Sequence, residues 1–295
     1  MLSLATLWWA TQPDQLSRET FYIMEQVDFT IVTPSYNYSD YIRECLDSVR
    51  DQEGVTFEHL VYDAGSTDGT LDIIREYDHV ELTVEPDKGM SDAINKGFKS
   101  AKGKWVMWLN TDDYFLPGAL AEVKSFAENK HDADVIYGCW NFIGKEGDYQ
   151  RAMNVFPIQK TMISQFCYIA STSTFFRRET VMDEGYLLNE RFKYVMDGEY
   201  YNRLIKLGKK FVYLPRLLAD FRSHDASLSL RHAQPKSIDE NLDRQLQFSE
   251  SRAIRRTYGP KFTNNEHINC AIDCIMSFLF RINKQILIRL NRPRN

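Results

Sequence analysis

Long apolar runs, paired cysteines and an excess of positive charge are all missing from this chain of 295 residues. No segment comes near the roughly 20 consecutive apolar residues that a membrane-crossing helix needs. Leu2–Ala10 (LSLATLWWA) is apolar but too short. It lacks a basic flank and a cleavage site of the signal-peptide kind, so residues 1–26 are expected to form an N-terminal extension. The five cysteines are odd in number and include no CxxC pair, which points to reduced thiols in a cytoplasmic setting and argues against zinc. Lys and Arg number 36 against 41 Asp and Glu, a net charge of −5. With no basic excess to neutralise phosphates, the balance argues against a nucleic-acid partner. A hydrophobic content of 43% is enough for a sizeable core.

What is present is a regular alternation of strand-like and helix-like segments. FTIVTPS at 29–35 reads as a strand, and Ser39 is placed to cap a helix whose apolar positions Tyr41, Ile42, Cys45, Leu46 and Val49 share one face. Phe57–Tyr62 is a second strand, running into DAGSTDG and a helix carrying Leu71, Ile73 and Ile74. Val80–Val84 is a third, followed by Met90, Ala93, Ile94, Gly97 and Ala101 at helical spacing. KWVMWL at 104–109 is a fourth, and it stops on Asn110, Thr111, Asp112 and Asp113. Strands alternating with short helices imply crossover connections and a mostly parallel sheet, an α/β fold whose ligands sit beyond the strands' carboxyl ends. Asp63, Asp112 and Asp113 are therefore expected at one crevice. The residues alone also allow a plainer role for each, an Asx turn at Asp63 and a turn or helix cap at the pair.

The motifs TPSYNYSDYIRECLDSV, DAGSTDGT, EPDKGMSDAINKG and WLNTDDYFLPGAL, followed by ASTSTFFRRE, YVMDGEYYNRL and LADFRSHDASLS, occur in this order between Val27 and Leu230. Together they resemble a family 2 glycosyltransferase of the GT-A fold, of the bacterial polysaccharide type. The resemblance implies a GT-A catalytic domain over residues 27–230; residues 231–295, beyond it, are expected to form a helical C-terminal region. It implies a nucleotide-sugar donor, UDP-linked by preference, and a divalent cation, Mn²⁺ or Mg²⁺, at the donor's phosphates. By that likeness Asp113 is the metal-binding aspartate, completed by His224. Asp112 faces the ribose or sugar, Asp63 accepts a hydrogen bond from the base, and Pro34 and Tyr36 flank the nucleoside. Asp92 and Asn95, one helical turn apart, would meet donor sugar hydroxyls, with Lys88 toward a phosphate or sugar. Asp92 as a first-turn acid and Asn95 as a solvated residue remain the plainer alternatives. Asp197 matches the catalytic base, with Glu199 as the alternative one register away, and Arg222 is near enough in sequence to His224 to meet a phosphate. Ser171–Arg178 would wall the acceptor cleft, or form a buried strand.

The implied reaction is inverting transfer from the donor to a hydroxyl of a glycan or lipid-linked glycan. Two rival readings are a noncatalytic nucleotide-sugar-binding protein and a nucleotidyltransferase on a related fold. The latter would want a basic, glycine-rich N-terminal loop, and PSYNYSDY is not one. The tail lies outside the resemblance. Ile268, Ile272, Ile275, Leu279, Ile282, Ile286 and Leu290 recur at steps of four and three, and Arg281, Lys284, Arg289, Arg292 and Arg294 follow with no acid after Asp273. Such a helix suits an anionic membrane surface, which would make the enzyme peripheral at the inner face of the cell membrane. It equally suits packing on its own domain or on a second subunit in a homo-oligomer.

Overall fold

The computed structural model describes residues 27–153, 155–165, 167–224, 227, 238–261, 263, 275 and 279. The N-terminal extension, Cys270, Cys274 and nearly all of the tail's apolar stripe and basic end lie outside the described residues; Ile275 and Leu279, which lie within them, are exposed. Among the described residues no helix is long and apolar enough to cross a membrane.

Among the described residues nine strands form one sheet. β1 (Phe29–Ser35), β2 (Phe57–Asp63), β3 (Val80–Val84) and β4 (Trp105–Trp108) are joined by α1 (Ile42–Arg50), α2 (Thr70–Ile74) and α3 (Met90–Ser100). These four strands are parallel, in the order β3-β2-β1-β4, as the crossover pattern expects. Every residue of β1 is buried, because helices cover both faces of a parallel sheet. Beyond β4 the sheet becomes mixed. β5 (Tyr114–Phe115), β6 (Val135–Ile143), β7 (Tyr149–Met153), β8 (Thr174–Arg177) and β9 (Phe211–Arg222) follow. β8 runs antiparallel between β4 and β6, while β9 is parallel to β6. TFFR is thus a buried central strand, and only Ser171, just ahead of it, reaches the cleft described below.

α1 buries Ile42, Cys45, Leu46 and Val49 along one stripe. It begins at Ile42 without a side-chain cap, a correction to the expected role of Ser39, whose N–H donates instead to Asp68 Oδ2 at 3.0 Å. α3 lies directly on β1 at Gly97. A Cβ there would come within 2.4 Å of Val32 Cγ1, so the close approach requires glycine. α4 (Ala119–Glu128) closes the face opposite α3. On the α3 side, α5 (Lys160–Ile163) and α6 (Met196–Lys206) complete a core in which Trp108 stacks on Phe176 with centroids 5.7 Å apart and Phe176 meets Tyr200 at 5.2 Å. α7 (Ile238–Tyr258) packs on α6.

Candidate active site

The carboxyl ends of β1, β2 and β4 open on a cleft of about 820 Å³. Pro34–Tyr36, Pro86–Met90 less Lys88, and Asn110–Asp112 form one side of its lining; Ile169–Ser171 and Lys193, Tyr194, Met196 and Asp197 supply another. Of the site residues picked out in the sequence, Pro34, Tyr36, Asp112, Ser171 and Asp197 line it.

The key juxtaposition is made by the shortest strand. β5 follows Asp113 immediately and pairs antiparallel with β9, Tyr114 opposite Asp220. β9 therefore ends beside the Asp112–Asp113 turn, and the chain leaving it carries His224 to Asp112: Nε2 and Oδ2 are 2.9 Å apart. The imidazole is buried, 4.7 Å from the Tyr41 ring centroid and 6.1 Å from that of Tyr38. Arg222 locks this arrangement. Its backbone N–H donates to Asp113 Oδ1 at 3.0 Å, Nε to the Asp112 carbonyl at 3.2 Å and Nη1 to the Lys145 carbonyl at 2.7 Å, while Nη2 pairs with Glu44. The guanidinium is 1% exposed and its donors are engaged by protein, so Arg222 is a staple for the acidic turn and not the phosphate contact the sequence suggested.

Asp113 faces the interior. It is 1% exposed, and its two oxygens accept from Arg222 N–H and Asn110 Nδ2. Burial first, and the adjacent charge of Asp112 second, push its carboxyl well above the ordinary range. Asp112, paired with His224, lines the cleft, and Asp113 does not.

Other expected donor contacts are drawn into the fold. Asp63 is 1% exposed, and four donors fill its oxygens: the N–H groups of Gly65 and Ser66, and the hydroxyls of Ser35 and Ser66, at 2.7–2.9 Å. It latches the end of β2 to the end of β1, the plainer of its two readings. Asp92 accepts the Lys88 N–H at 3.0 Å and pairs with Lys96, as a first-turn acid does. Lys88 itself is exposed beside the cleft. Asn95 is buried, its amide donating to the Leu188 carbonyl at 3.0 Å and accepting the Leu188 N–H at 2.8 Å.

Asp197 stands in the first turn of α6, partly buried at the cleft. Its Oδ1 accepts the Gly198 N–H at 2.7 Å. Burial nevertheless outweighs that bond and pushes its carboxyl up from 3.8 to about 6. Glu199 is turned away, bound by Arg203 at 2.9 Å and by the Tyr258 hydroxyl at 2.8 Å, so the alternative register does not reach the cleft.

Residues 30–185, more than half of the chain, match the glycosyl transferase family 2 model. The chain belongs to glycosyl transferase family 2. Among curated relatives, this chain is 34% identical over 116 residues to a PGL/p-HBAD biosynthesis glycosyltransferase of Mycobacterium bovis, a match covering 37% of this chain and 45% of that protein. It is 37% identical over 89 residues to the putative teichuronic acid biosynthesis glycosyltransferase TuaG of Bacillus subtilis, covering 28% and 35%. The chain thus spans less than half the length of these curated relatives. In three dimensions it is similar to S. aureus TarS in complex with UDP-GlcNAc, with TM-score 0.57 and 19% identity over 79% of this chain and 73% of that one. It is also similar to the mannosyltransferase PcManGT of Pyrobaculum calidifontis in complex with GDP-Man and Mn²⁺, with TM-score 0.52 and 15% identity over 91% and 86%. These likenesses establish the GT-A fold for the glycosyltransferase.

Some of the cleft-lining residues were not singled out in the sequence. Trp140 and Phe142 on β6 and Phe221 on β9 make an aromatic wall, with centroids 4.5–5.5 Å apart, that lines the cleft. The period-two spacing of Trp140 and Phe142 marks one face of a strand and was the available signal. Asn110 also lines the cleft, with a buried Oδ1 that has no hydrogen-bond partner among the described residues. No third His, Cys, Asp or Glu among the described residues joins Asp112 and His224 in a metal-ligand group.

Proposed function

We propose that this glycosyltransferase moves a sugar, with inversion, from a nucleoside-diphosphate sugar to a hydroxyl of a glycan or lipid-linked glycan, and that it depends on Mn²⁺ or Mg²⁺. The observation that carries the reading is one cleft lined both by Asp112, which is paired with His224, and by a carboxylate, Asp197, adjusted toward neutrality. UDP is the proposed nucleotide, supported by the TarS complex with UDP-GlcNAc. A surface-polysaccharide acceptor is supported by the naming of TuaG. Attachment to the inner face of the cell membrane is part of the same proposal, supported by the exposed Leu242, Leu246 and Phe248 on α7 and by the basic tail.

Asp112 and His224 fit a divalent cation. Asp112 Oδ2 and His224 Nε2, 2.9 Å apart, are the carboxylate oxygen and imidazole nitrogen that would hold it. A carboxylate oxygen with an imidazole nitrogen is a donor set that would suit Mn²⁺. When bound, the cation would offset the charge gathering on the departing diphosphate. Asp197 supplies the base. With Oδ1 holding the Gly198 N–H, Oδ2 takes the acceptor hydroxyl's proton. The acceptor oxygen then bonds to the anomeric carbon as the bond to the diphosphate breaks, and the nucleoside diphosphate leaves with that electron pair. A carboxyl titrating at about 6 is ionised at neutral pH and more basic than an ordinary aspartate. The aromatic wall of Trp140, Phe142 and Phe221 offers apolar faces to a sugar ring.

Thermal shift against UDP-, GDP- and dTDP-sugars, each with Mn²⁺ and with EDTA, tests the reading. A ligand at 100 times its Kd stabilises the fold by about 2.7 kcal/mol. A shift for one nucleotide class that vanishes in EDTA is expected. Shifts that ignore EDTA refute the metal dependence, and the absence of any shift refutes donor binding.

A further inference from the structure

We propose that Glu250, on the C-terminal helix α7, is a positioning residue for Asp197, and that α7 thereby forms part of the catalytic apparatus. The proposal rests on the reading of Asp197 as the base. Glu250 lies outside the 30–185 stretch matched by the family, on a helix with no sequence motif to mark it. It is 6% exposed. Its carboxylate accepts three consecutive backbone N–H groups: Lys193 at 2.9 Å on Oε1, and Tyr194 at 2.9 Å and Val195 at 3.3 Å on Oε2. Three successive amides converging on one anion make a nest, and these three lead directly into the first turn of α6. Lys193, Tyr194 and Asp197 all line the cleft. One carboxylate therefore fixes both a stretch of cleft wall and the start of the helix that carries the base.

Two further contacts from α7 bear on the same turn. The Tyr258 hydroxyl donates to Glu199 Oε1 at 2.8 Å, and Ile254 Cδ1 lies 3.6 Å from where a Cβ on Gly198 would sit. Gly198 and Glu199 are the two residues after Asp197, so α7 meets α6 on the flank away from the cleft. At its other end the same connection is held by Asn95, which grips the backbone of Leu188 by both its N–H and its carbonyl. The segment from Leu188 to Val195 is thus strung between α3 and α7, and Glu250 is the anchor nearer the base.

The test uses the full chain. Glu250→Gln keeps the shape of the side chain but replaces one acceptor by a donor. Glu250→Asp keeps the charge but withdraws it by a methylene. Glu128→Gln, on α4, is the control. The ¹³C-NMR titration of the Asp197 carboxyl should move down by about half a pH unit or more in Glu250→Gln, because a loosened turn admits water to a carboxyl that burial holds up. With the nucleotide sugar that gives the largest thermal shift as donor, kcat should fall about tenfold or more in both Glu250 variants, while the donor KM stays within about twofold. The control should match the wild type in every measure. Folded Glu250 variants that leave both the Asp197 titration and kcat unchanged overturn the proposal. A titration that moves while kcat does not supports the positioning of Asp197 and sinks its role as base.

Discussion

Replacing Asp197 by asparagine should leave the protein more stable and less active, with the stability gain depending on pH. Burial pushes this carboxyl up from 3.8 to about 6 in the folded chain. Below the unfolded-state value the group is protonated in both states, and its contribution to stability is fully present. Between 3.8 and about 6 the unfolded chain releases the proton while the folded chain keeps it, so each pH unit costs the wild type about 1.4 kcal/mol. Above that window both states are ionised and the loss stays constant, at about 3 kcal/mol if the whole displacement counts. Asp197 is only partly buried, so cleft water screens part of it, and about 1–2 kcal/mol is expected at neutral pH. Asparagine keeps an oxygen for the Gly198 N–H and carries no charge. Urea unfolding of wild type and Asp197→Asn from about pH 3.5 to 8 should show curves that coincide in acid and separate to a plateau above about pH 6.5. Sugar transfer should meanwhile fall by a factor of about 10² or more, with donor affinity near wild type. An asparagine variant less stable than the wild type at neutral pH, or a stability difference flat in pH, would refute the reasoning.

Three other outcomes follow from the geometry. Asp112→Asn should weaken nucleotide binding by about 1–3 kcal/mol in Mn²⁺ and have little effect in EDTA, whereas Asp113→Asn should retain metal-dependent binding; calorimetry on the two variants decides, and the reverse pattern restores Asp113 as the metal acid. Arg222→Lys keeps a positive charge but cannot reach Glu44, Lys145 and Asp112 together, so it should lose about 2–4 kcal/mol in denaturant melts, and a loss under about 1 kcal/mol would mean the staple is dispensable. His59 is buried against the Thr33 hydroxyl and pushed down to about 3, by burial first and His79 second. Its contribution to stability is present above about pH 6.5 and is lost toward 3 as the unfolded chain alone takes a proton, so His59→Gln should suffer less acid destabilisation than the wild type, by about 2 kcal/mol between pH 7 and 4.5. Equal acid sensitivity in both proteins would contradict it.

The half of the fold built from local crossovers was legible in the sequence. FTIVTPS is β1 to the residue, and the stripe of Ile42, Cys45, Leu46 and Val49 is the buried face of α1. Parallel strands buried on both faces and amphipathic helices write their periods directly into the chain, and short crossovers admit few topologies. The mixed half was not legible in this way, because placing β8 between β4 and β6, and β5 on β9, depends on partners far away in sequence. The site divides along the same line. That acids gather at the strands' carboxyl ends, and that Asp197 opens a helix at the cleft, could be read from the sequence and its resemblance. Which of two adjacent aspartates faces the cleft could not. Neighbouring residues point in different directions, and the choice is made by Arg222, 109 positions beyond Asp113, whose backbone holds Asp113 inward. Nor could the sequence show that Asp63 and Asn95 spend their hydrogen bonds on the fold, since a polar side chain bears no mark of its partners. The sequence determined what kind of site this is; packing across the sheet decided which oxygens remain free to act.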